Sequence, residues 1–371
     1  MTTLMGQIVD RPPVSFYELN GMDENPDDPD PYNIYTHPSW QSLIELTREK
    51  TDRIVMRSVP FINQPSDPMD ELTTTNSYTN IEGCRFTCKT IRFGKMILTS
   101  LTRRDPDVNT IWNIEHLIKN KVDLETWISL PQAEQFGTPD IPGILRDEAQ
   151  LGDSGIVMID TPDPLCEVAM LMDMETHILL AATEPALFHK ALEKAYQRLL
   201  PQTEAVARAL PGRLWRIYGP EFASPPYLRP DFFKEYVNRY DTPMVETIQR
   251  TGGYARIHCH GKIKLILDHI AATGCSGLDP IEPPPQGDVE LGYVRQHYGE
   301  QMVLFGNLEA SDIENLPTPA FRMKIRQALQ TGTQGEGRGF VLMPSSCPYG
   351  RQLPALAMNN YVAMIEEIER F

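Results

Sequence analysis

Cysteine is scarce in this chain: there are six in 371 residues, at 84, 88, 166, 259, 275 and 347, with no regular spacing. That excludes a disulfide framework and suits a reducing compartment, so a cytoplasmic location is expected. Cys84 and Cys88 resemble a spaced pair, but the intervening Arg-Phe-Thr alternates as a strand does, and the pair reads as structural. An excess of positive charge is also missing. Against 50 acidic residues stand 34 Lys and Arg, a formal net charge of −16. No basic stretch offsets it, which argues against nucleic acid or an anionic membrane as partner. No run approaches the roughly 18 apolar residues of a membrane span. The opening Met-Thr-Thr-Leu-Met-Gly has no basic segment followed by an apolar core, so no secretory signal is expected. What is present, 41% hydrophobic and 23% charged residues, describes a soluble globular protein of two ordinary domains, or of one large barrel with an N-terminal extension.

Residues 1–35 are polar and proline-rich, running Asp-Glu-Asn-Pro-Asp-Asp-Pro-Asp over 23–30. Such a composition predicts an extended arm or loop that buries no core. A first helix should begin near Pro38 and Ser39, so the arm and helix take residues 1–50. Residues 51–371 then form a single domain with an irregular insertion at about 60–150. Within it, 53–59 is a predicted strand and 60–82 a loop. Segments 84–91 and 95–102 form a β-hairpin turning at Arg92-Phe93-Gly94, and helical patterns follow over 111–119 and 124–130.

From residue 155 the rhythm becomes regular. Apolar strands are expected at 155–159, 214–218, 254–257, 277–281, 302–305 and 340–343. Helices follow at 165–172, from 185 to a kink or break at Pro201, from 230, at 262–272, at 289–298, from 318 and at 356–370. At least six strand–loop–helix units in a row require a parallel sheet covered by helices. No glycine-rich dinucleotide fingerprint follows the first of these strands, and every strand from 213 onward ends in polar or metal-capable groups. Both facts favour an α/β (β/α)8 TIM-type barrel, whose strand ends converge on one mouth, over a doubly wound sheet.

At that mouth the expectation places Glu221, His258, Cys259, His260, Glu282, Asp288, Asn307 and Cys347. On a strand His258 and His260 share a face, and Cys259 turns towards the helices. A zinc site needs three or four nitrogen, sulfur or oxygen donors, here His258, His260 and Cys347, with Glu221 as a fourth that substrate could displace. A second reading stays open, in which the two histidines are hydrogen-bonded residues shaping a metal-free pocket. Glu221 and Asp288 are the candidate catalytic groups, Asp288 being also a natural helix cap. Tyr218, Glu282, Gln286 and Asn307 are candidate substrate contacts. The remaining histidines, 37, 116, 177, 189, 269 and 297, read as surface or local structure.

Several motifs together resemble the uroporphyrinogen decarboxylase superfamily, and in particular its methyltransferase-related branch. They are Glu221-Phe222-Ala223-Ser224-Pro225 after a strand, His258-Cys259-His260-Gly261, Gly287-Asp288, Leu304-Phe305-Gly306-Asn307 and the late Cys347. The resemblance implies a (β/α)8 barrel and, for this branch, a zinc-assisted methyl transfer. The methyl group would pass between a methylated corrinoid (methylcobalamin) on a small partner protein and a small thiol or a pterin such as tetrahydrofolate. Zinc would hold the acceptor as thiolate while Glu221 leaves the metal or takes the proton; with a pterin, Asp288 and Asn307 would bond its ring. Two departures stand out. The branch's His-x-Cys pair is His258-x-His260 here, leaving Cys347 as the single matching thiolate. The arginine-rich N-terminus of the decarboxylases is also missing, since residues 1–50 hold only Arg11 and Arg48. The alternative is a metal-free lyase of decarboxylase type, or a barrel that binds a small molecule.

Overall fold

Short apolar runs with branched residues at their centres become strands wherever both faces are covered. The computed structural model describes residues 1–133 and 135–371. In chain order its strands are β1 (Arg53–Arg57), β2 (Phe61–Ile62), β3 (Thr73–Thr79), β4 (Arg85–Phe93), β5 (Met96–Arg104), β6 (Ile111–Glu115) and β7 (Thr138–Pro139). Six apolar strands follow: β8 (Gly155–Pro162), β9 (Leu214–Tyr218), β10 (Tyr254–His258), β11 (Gly277–Asp279), β12 (Val303–Leu308) and β13 (Phe340–Pro344). Strands β1 and β8 to β13 make one seven-stranded parallel sheet in that order.

The sheet curls. Ile54 of β1, Met158 of β8, Leu214 of β9, Phe305 of β12 and Met343 of β13 belong to one buried cluster, so side chains of the first and last strands meet inside the curve. The alternate residues, among them Trp215, Ile217, Ala255, Ile257, Leu278, Leu304 and Leu342, face outward into the larger core shared with the helices. Between the two edges lies a short N-terminal segment. Leu342 N–H donates to Pro13 O (2.9 Å), Ser15 N–H to Leu342 O (3.0 Å), and Asp52 N–H to Val14 O (2.7 Å). The α/β class with one large curled parallel sheet therefore agrees with the expectation.

The expected inert arm is corrected. Val14, Phe16, Tyr17 and Leu19 are buried, and Glu24 secures the turn behind them by accepting the Asn20 and Gly21 N–H groups (3.1 and 2.6 Å). The acidic, proline-rich run masked this shorter apolar stretch. In the insertion, the expected hairpin is two strands of a four-stranded antiparallel sheet, β3-β4-β5-β6. The predicted loop at 60–82 contains β3, and the predicted helix at 111–119 is largely β6. Both are edge strands with mostly exposed side chains, so neither shows the buried face on which pattern reading depends. Pro201 does not end its helix either, because Pro185–Ala209 runs through it with Pro201 exposed. A separate helix, Met174–Thr183, follows the short Pro164–Ala169. Among the described residues no helix is long and apolar enough to cross a membrane.

Candidate active site

The inward face of the curled sheet carries charge where a buried strand should not. Leu214, Arg216 and Tyr218 alternate along β9, and Tyr254, Arg256 and His258 along β10, in matched register. Arg256 and Asp279 are buried, with Arg256 Nε 2.8 Å from Asp279 Oδ1. The N–H directions miss the carboxylate, so Nε, Nη1 and Nη2 lack hydrogen-bond partners. This is a charge pair, with the guanidinium also 4.8 Å from the Phe305 ring centroid. Arg216 forks onto Asp160 (2.6 and 2.9 Å) and donates through Nη1 to the Tyr17 hydroxyl at 2.7 Å.

Asp279 also meets His258, with Oδ2 at 2.7 Å from Nδ1. Burial pushes the Asp279 carboxyl up, but Arg256, His258 and Arg216 outweigh it and hold the group below the usual carboxylate range. Against an ionised carboxylate His258 Nδ1 carries the proton, and Nε2 presents its lone pair. The Tyr17 hydroxyl lies 3.3 Å from that Nε2. Burial raises the Tyr17 phenol strongly, so it stays protonated.

His260 stands one step nearer the mouth, its ring perpendicular to that of His258 with centroids 4.6 Å apart. Its Nδ1 is 2.8 Å from Glu282 Oε1, while Glu282 Oε2 accepts the Gly261 N–H at 2.7 Å. Burial opposes charge on His260, yet the hydrogen bond and charge of Glu282, with Glu221 and Asp279 behind it, raise the imidazole above its ordinary value. Glu282 shifts the other way: burial raises it, and His260 with the Gly261 N–H lowers it further. The loop that delivers Glu282 closes on itself through Gly287, where a Cβ would stand 1.8 Å from the Glu282 carbonyl oxygen.

Glu221 sits in a turn that depends on Gly219. There φ is +121°, and a Cβ would lie 2.2 Å from Cys166 Cβ. Glu221 Oε2 accepts the Gly219 N–H at 3.2 Å. His177, expected at the surface or in local structure, is buried and bonds the next carbonyl, Phe222 O, at 2.9 Å. The other candidates have partners of their own. Cys347 Sγ is 3.5 Å from Glu18 Oε2, and burial and Glu18 push its thiol well above the usual value. Asp288 accepts the Lys264 N–H at 2.9 Å and so ties two mouth loops together. Tyr218 lies against the Arg216 guanidinium, 5.2 Å from centroid to carbon, its phenol pushed up to about 12 first by burial and then by Asp160. Gln286 is exposed at its loop, and Asn307 lines a neighbouring cavity.

The structure therefore brings His258, His260 and Glu282 together, with Glu221 within electrostatic reach; Cys347 is engaged by Glu18, the neighbour of Tyr17, and Asp288 by the Lys264 N–H. Among the described residues no group of three or more His, Cys, Asp or Glu side chains is gathered to hold a metal ion. The histidine pair does have the donor chemistry of metal ligands, since each ring is oriented through Nδ1 by a carboxylate and keeps Nε2 for a ligand. Cys347 and Glu221 do not complete that set as they stand. Sequence reasoning missed Tyr17, Asp160, Arg216, Arg256, Asp279 and Glu309. For the two arginines a signal existed: each lies two residues before a candidate site residue, Tyr218 or His258, on the same face of a strand buried on both sides.

With this geometry established, comparison with known proteins becomes informative. No curated protein matches the chain. The family model described as uroporphyrinogen decarboxylase (URO-D) matches residues 163–370, more than half of the sequence. The chain belongs to the uroporphyrinogen decarboxylase family. The match takes in β9 to β13 and every residue of the histidine pair's surroundings except those from Tyr17, Glu18 and Asp160. Among solved structures, a methyltransferase from Methanosarcina mazei is 16% identical with a TM-score of 0.63, covering 100% of this chain and 97% of its own. That likeness is one of fold. A D-psicose 3-epimerase in the presence of D-fructose (9% identity, 62% and 80% covered, TM-score 0.31) carries no argument. Nor does a putative fructose-1,6-biphosphate aldolase from Coccidioides immitis (12%, 61% and 81%, TM-score 0.27).

Proposed function

We propose that this family member is a methyltransferase, moving a methyl group between a methylated corrinoid on a small partner protein and a small thiol or pterin acceptor. The observation that carries this reading is the histidine pair at the end of β10, with Asp279 and Glu282 holding the two Nδ1 atoms. His258 and His260 would hold a zinc ion through Nε2, and such an ion lowers the pKa of a bound thiol. The chain's own residues do the rest. Asp279 and Glu282 fix the imidazole orientations. Tyr17, positioned by Arg216, yields its hydrogen bond to His258 when Nε2 takes another partner. Glu221, held by the Gly219 N–H, takes the proton that the acceptor loses. Of the residues expected to bond a pterin, Asp288 is committed to Lys264 N–H, which leaves Asn307.

A metal-free lyase or binding barrel is the second reading, favoured by the engagement of Cys347 with Glu18 and of Glu221 with Gly219. Tetrapyrrole decarboxylation is disfavoured within it: Arg11 pairs with Asp52 at 2.7 Å and Arg48 donates to Gly21 O at 2.6 Å, so both N-terminal arginines are occupied. Elemental analysis of the purified chain separates the two readings. About one zinc per chain, lost in His258→Ala and His260→Ala, together with thiol- or tetrahydrofolate-dependent loss of the methylcobalamin absorbance, is expected. A protein without zinc that leaves methylcobalamin untouched with every acceptor would overturn methyl transfer.

A further inference from the structure

The edge of a sheet exposes backbone groups that its interior satisfies, and proteins blunt such edges with charge, proline or a bulge. The four-stranded sheet of the insertion has β3 at one edge and β6 at the other. β6 is blunted, because its pairing with β5 shifts register between Leu101 and Thr102. β3 is not. Its sequence, Thr-Thr-Thr-Asn-Ser-Tyr-Thr over 73–79, holds no charge and no proline, it keeps one register with β4 throughout, and all its residues but Thr73 are exposed. The two ends of β3 fix its hydrogen-bond phase. Arg92 N–H donates to Leu72 O (2.9 Å), and Asn80 N–H donates to Cys84 O (3.0 Å). Bonded pairs alternate along an antiparallel ladder, so the even-numbered residues of β3 are those bonded to β4. The N–H and C=O groups of Thr73, Thr75, Ser77 and Thr79 therefore point outward, and among the described residues no other backbone group bonds to them.

We propose that β3 is a dimer edge, on which β3 of a second copy of this chain pairs antiparallel about a two-fold axis at Asn76. The strand is self-complementary about that residue. Thr73 meets Thr79 of the second copy and Thr75 meets its Ser77, so every outward-facing group finds a partner. Any other register in the same phase leaves at least one of the four residues unpaired within the strand. Between these bonded pairs the side chains approach most closely: Asn76 faces Asn76 of the second copy, and Tyr78 faces its Thr74. Aromatic against β-branched residues, and threonine against threonine or serine, are favourable cross-strand pairs. No charge is brought against a like charge within the paired strands, which matters between chains that each carry −16. The symmetry closes after two copies, and the bulged β6 is left as the outer edge of an eight-stranded sheet, so assembly stops at the dimer. The inference stands apart from methyl transfer, since it uses neither histidine.

Sedimentation equilibrium of the full chain tests it. One short strand pair buries less than a standard interface, so a monomer–dimer equilibrium with a dissociation constant of about 1–100 µM is expected. Thr75→Pro removes an outward N–H and none of the bonds to β4, so it should fold and raise that constant at least about tenfold. Asn76→Cys reads the register. On the two-fold axis its Cα would lie about 4.5 Å from that of the second copy, within disulfide reach. Cys88 faces Asn76 across the ladder and is replaced by serine to prevent an internal bridge. Mild oxidation of Asn76→Cys/Cys88→Ser should then give a covalent dimer that Cys88→Ser alone does not. The proposal is overturned if the chain is monomeric up to about 300 µM, or if folded Thr75→Pro dimerises as the wild type does. It is equally overturned, whether or not Thr75→Pro folds, if the cysteine variant cross-links no more than Cys88→Ser alone.

Discussion

Asp279 serves two partners at once, Arg256 through Oδ1 and His258 through Oδ2, with no exposure to solvent. Asp279→Asn keeps the shape but leaves the Arg256 charge buried and uncompensated, a change that typically costs about 3–5 kcal/mol. Urea unfolding should register a loss of that order, and a loss below about 1 kcal/mol would show the pair to be energetically idle. Glu309 makes the opposite case. Burial, then the charges of Glu282 and Asp312, raises its carboxyl from 4.5 to about 7 in the folded chain, so the folded state holds its proton where the unfolded state has released it. The sign follows: the contribution of this group to stability is greatest below pH 4.5, falls as pH rises from 4.5 to 7, and levels above. Glu309→Gln should remove that fall, gaining up to about 3 kcal/mol over wild type above pH 7 and little below pH 4.5. Unfolding free energies of both proteins across pH 4–8 check this, and a difference independent of pH would refute it. At this scale the histidine pair was legible because strand alternation dictates which side chains share a face, and Cys259 does turn outward into the helix-facing core. The partners of the pair were not legible. Asp279 and Tyr17 reach His258 only through folding, from a strand 21 residues on and from an arm 241 residues back.

Elements with both faces covered were read closely. Strand 214–218 has the expected bounds, the helix from Pro230 starts where expected, and the helix from Thr318 starts where a first-turn proline placed it. Where an element has no buried side, as in β3 and β6, the pattern disappears and composition misleads: Thr-rich β3 read as loop and Ile111–Glu115 as helix. The loop after β11 shows how an element outside regular structure can govern the site. Gly287 touches the Glu282 carbonyl so closely that Gly287→Ala must move the loop, and Glu282 is what orients His260. That substitution should shift the His260 imidazole pKa downward, towards its ordinary value, as Glu282 withdraws, which NMR titration of the ring protons would follow. An unchanged titration curve would mean that the loop relaxes without disturbing the pair.

At the scale of the molecule, the repeating strand–helix units from 155 onward revealed the parallel sheet, and the family match falls on that same region. What repetition could not reveal is how the two edges of the sheet are joined, because the joining piece is a short segment at the far end of the chain. Removal of residues 1–19 takes away the partners of Leu342 N–H and Asp52 N–H along with buried Val14, Phe16 and Tyr17. The truncated protein should melt at a lower temperature, and the Leu342 amide should exchange with solvent much faster than in the intact chain. Equal exchange rates would show that the segment only rests on the sheet.

Segment 13–15 also has a consequence for how the molecule is made. It leaves the ribosome more than 300 residues ahead of the strand it bridges, β13. Long-range closure of this kind is slow, because the entropy of bringing distant residues together is lost before any contact rewards it. A nascent chain short of residue 340 has Asp52 to hold Val14 but lacks the Leu342 partners of Pro13 and Ser15. The contacts of Val14 with Leu342 thus wait until β13 has emerged, long after residues 13–15 themselves.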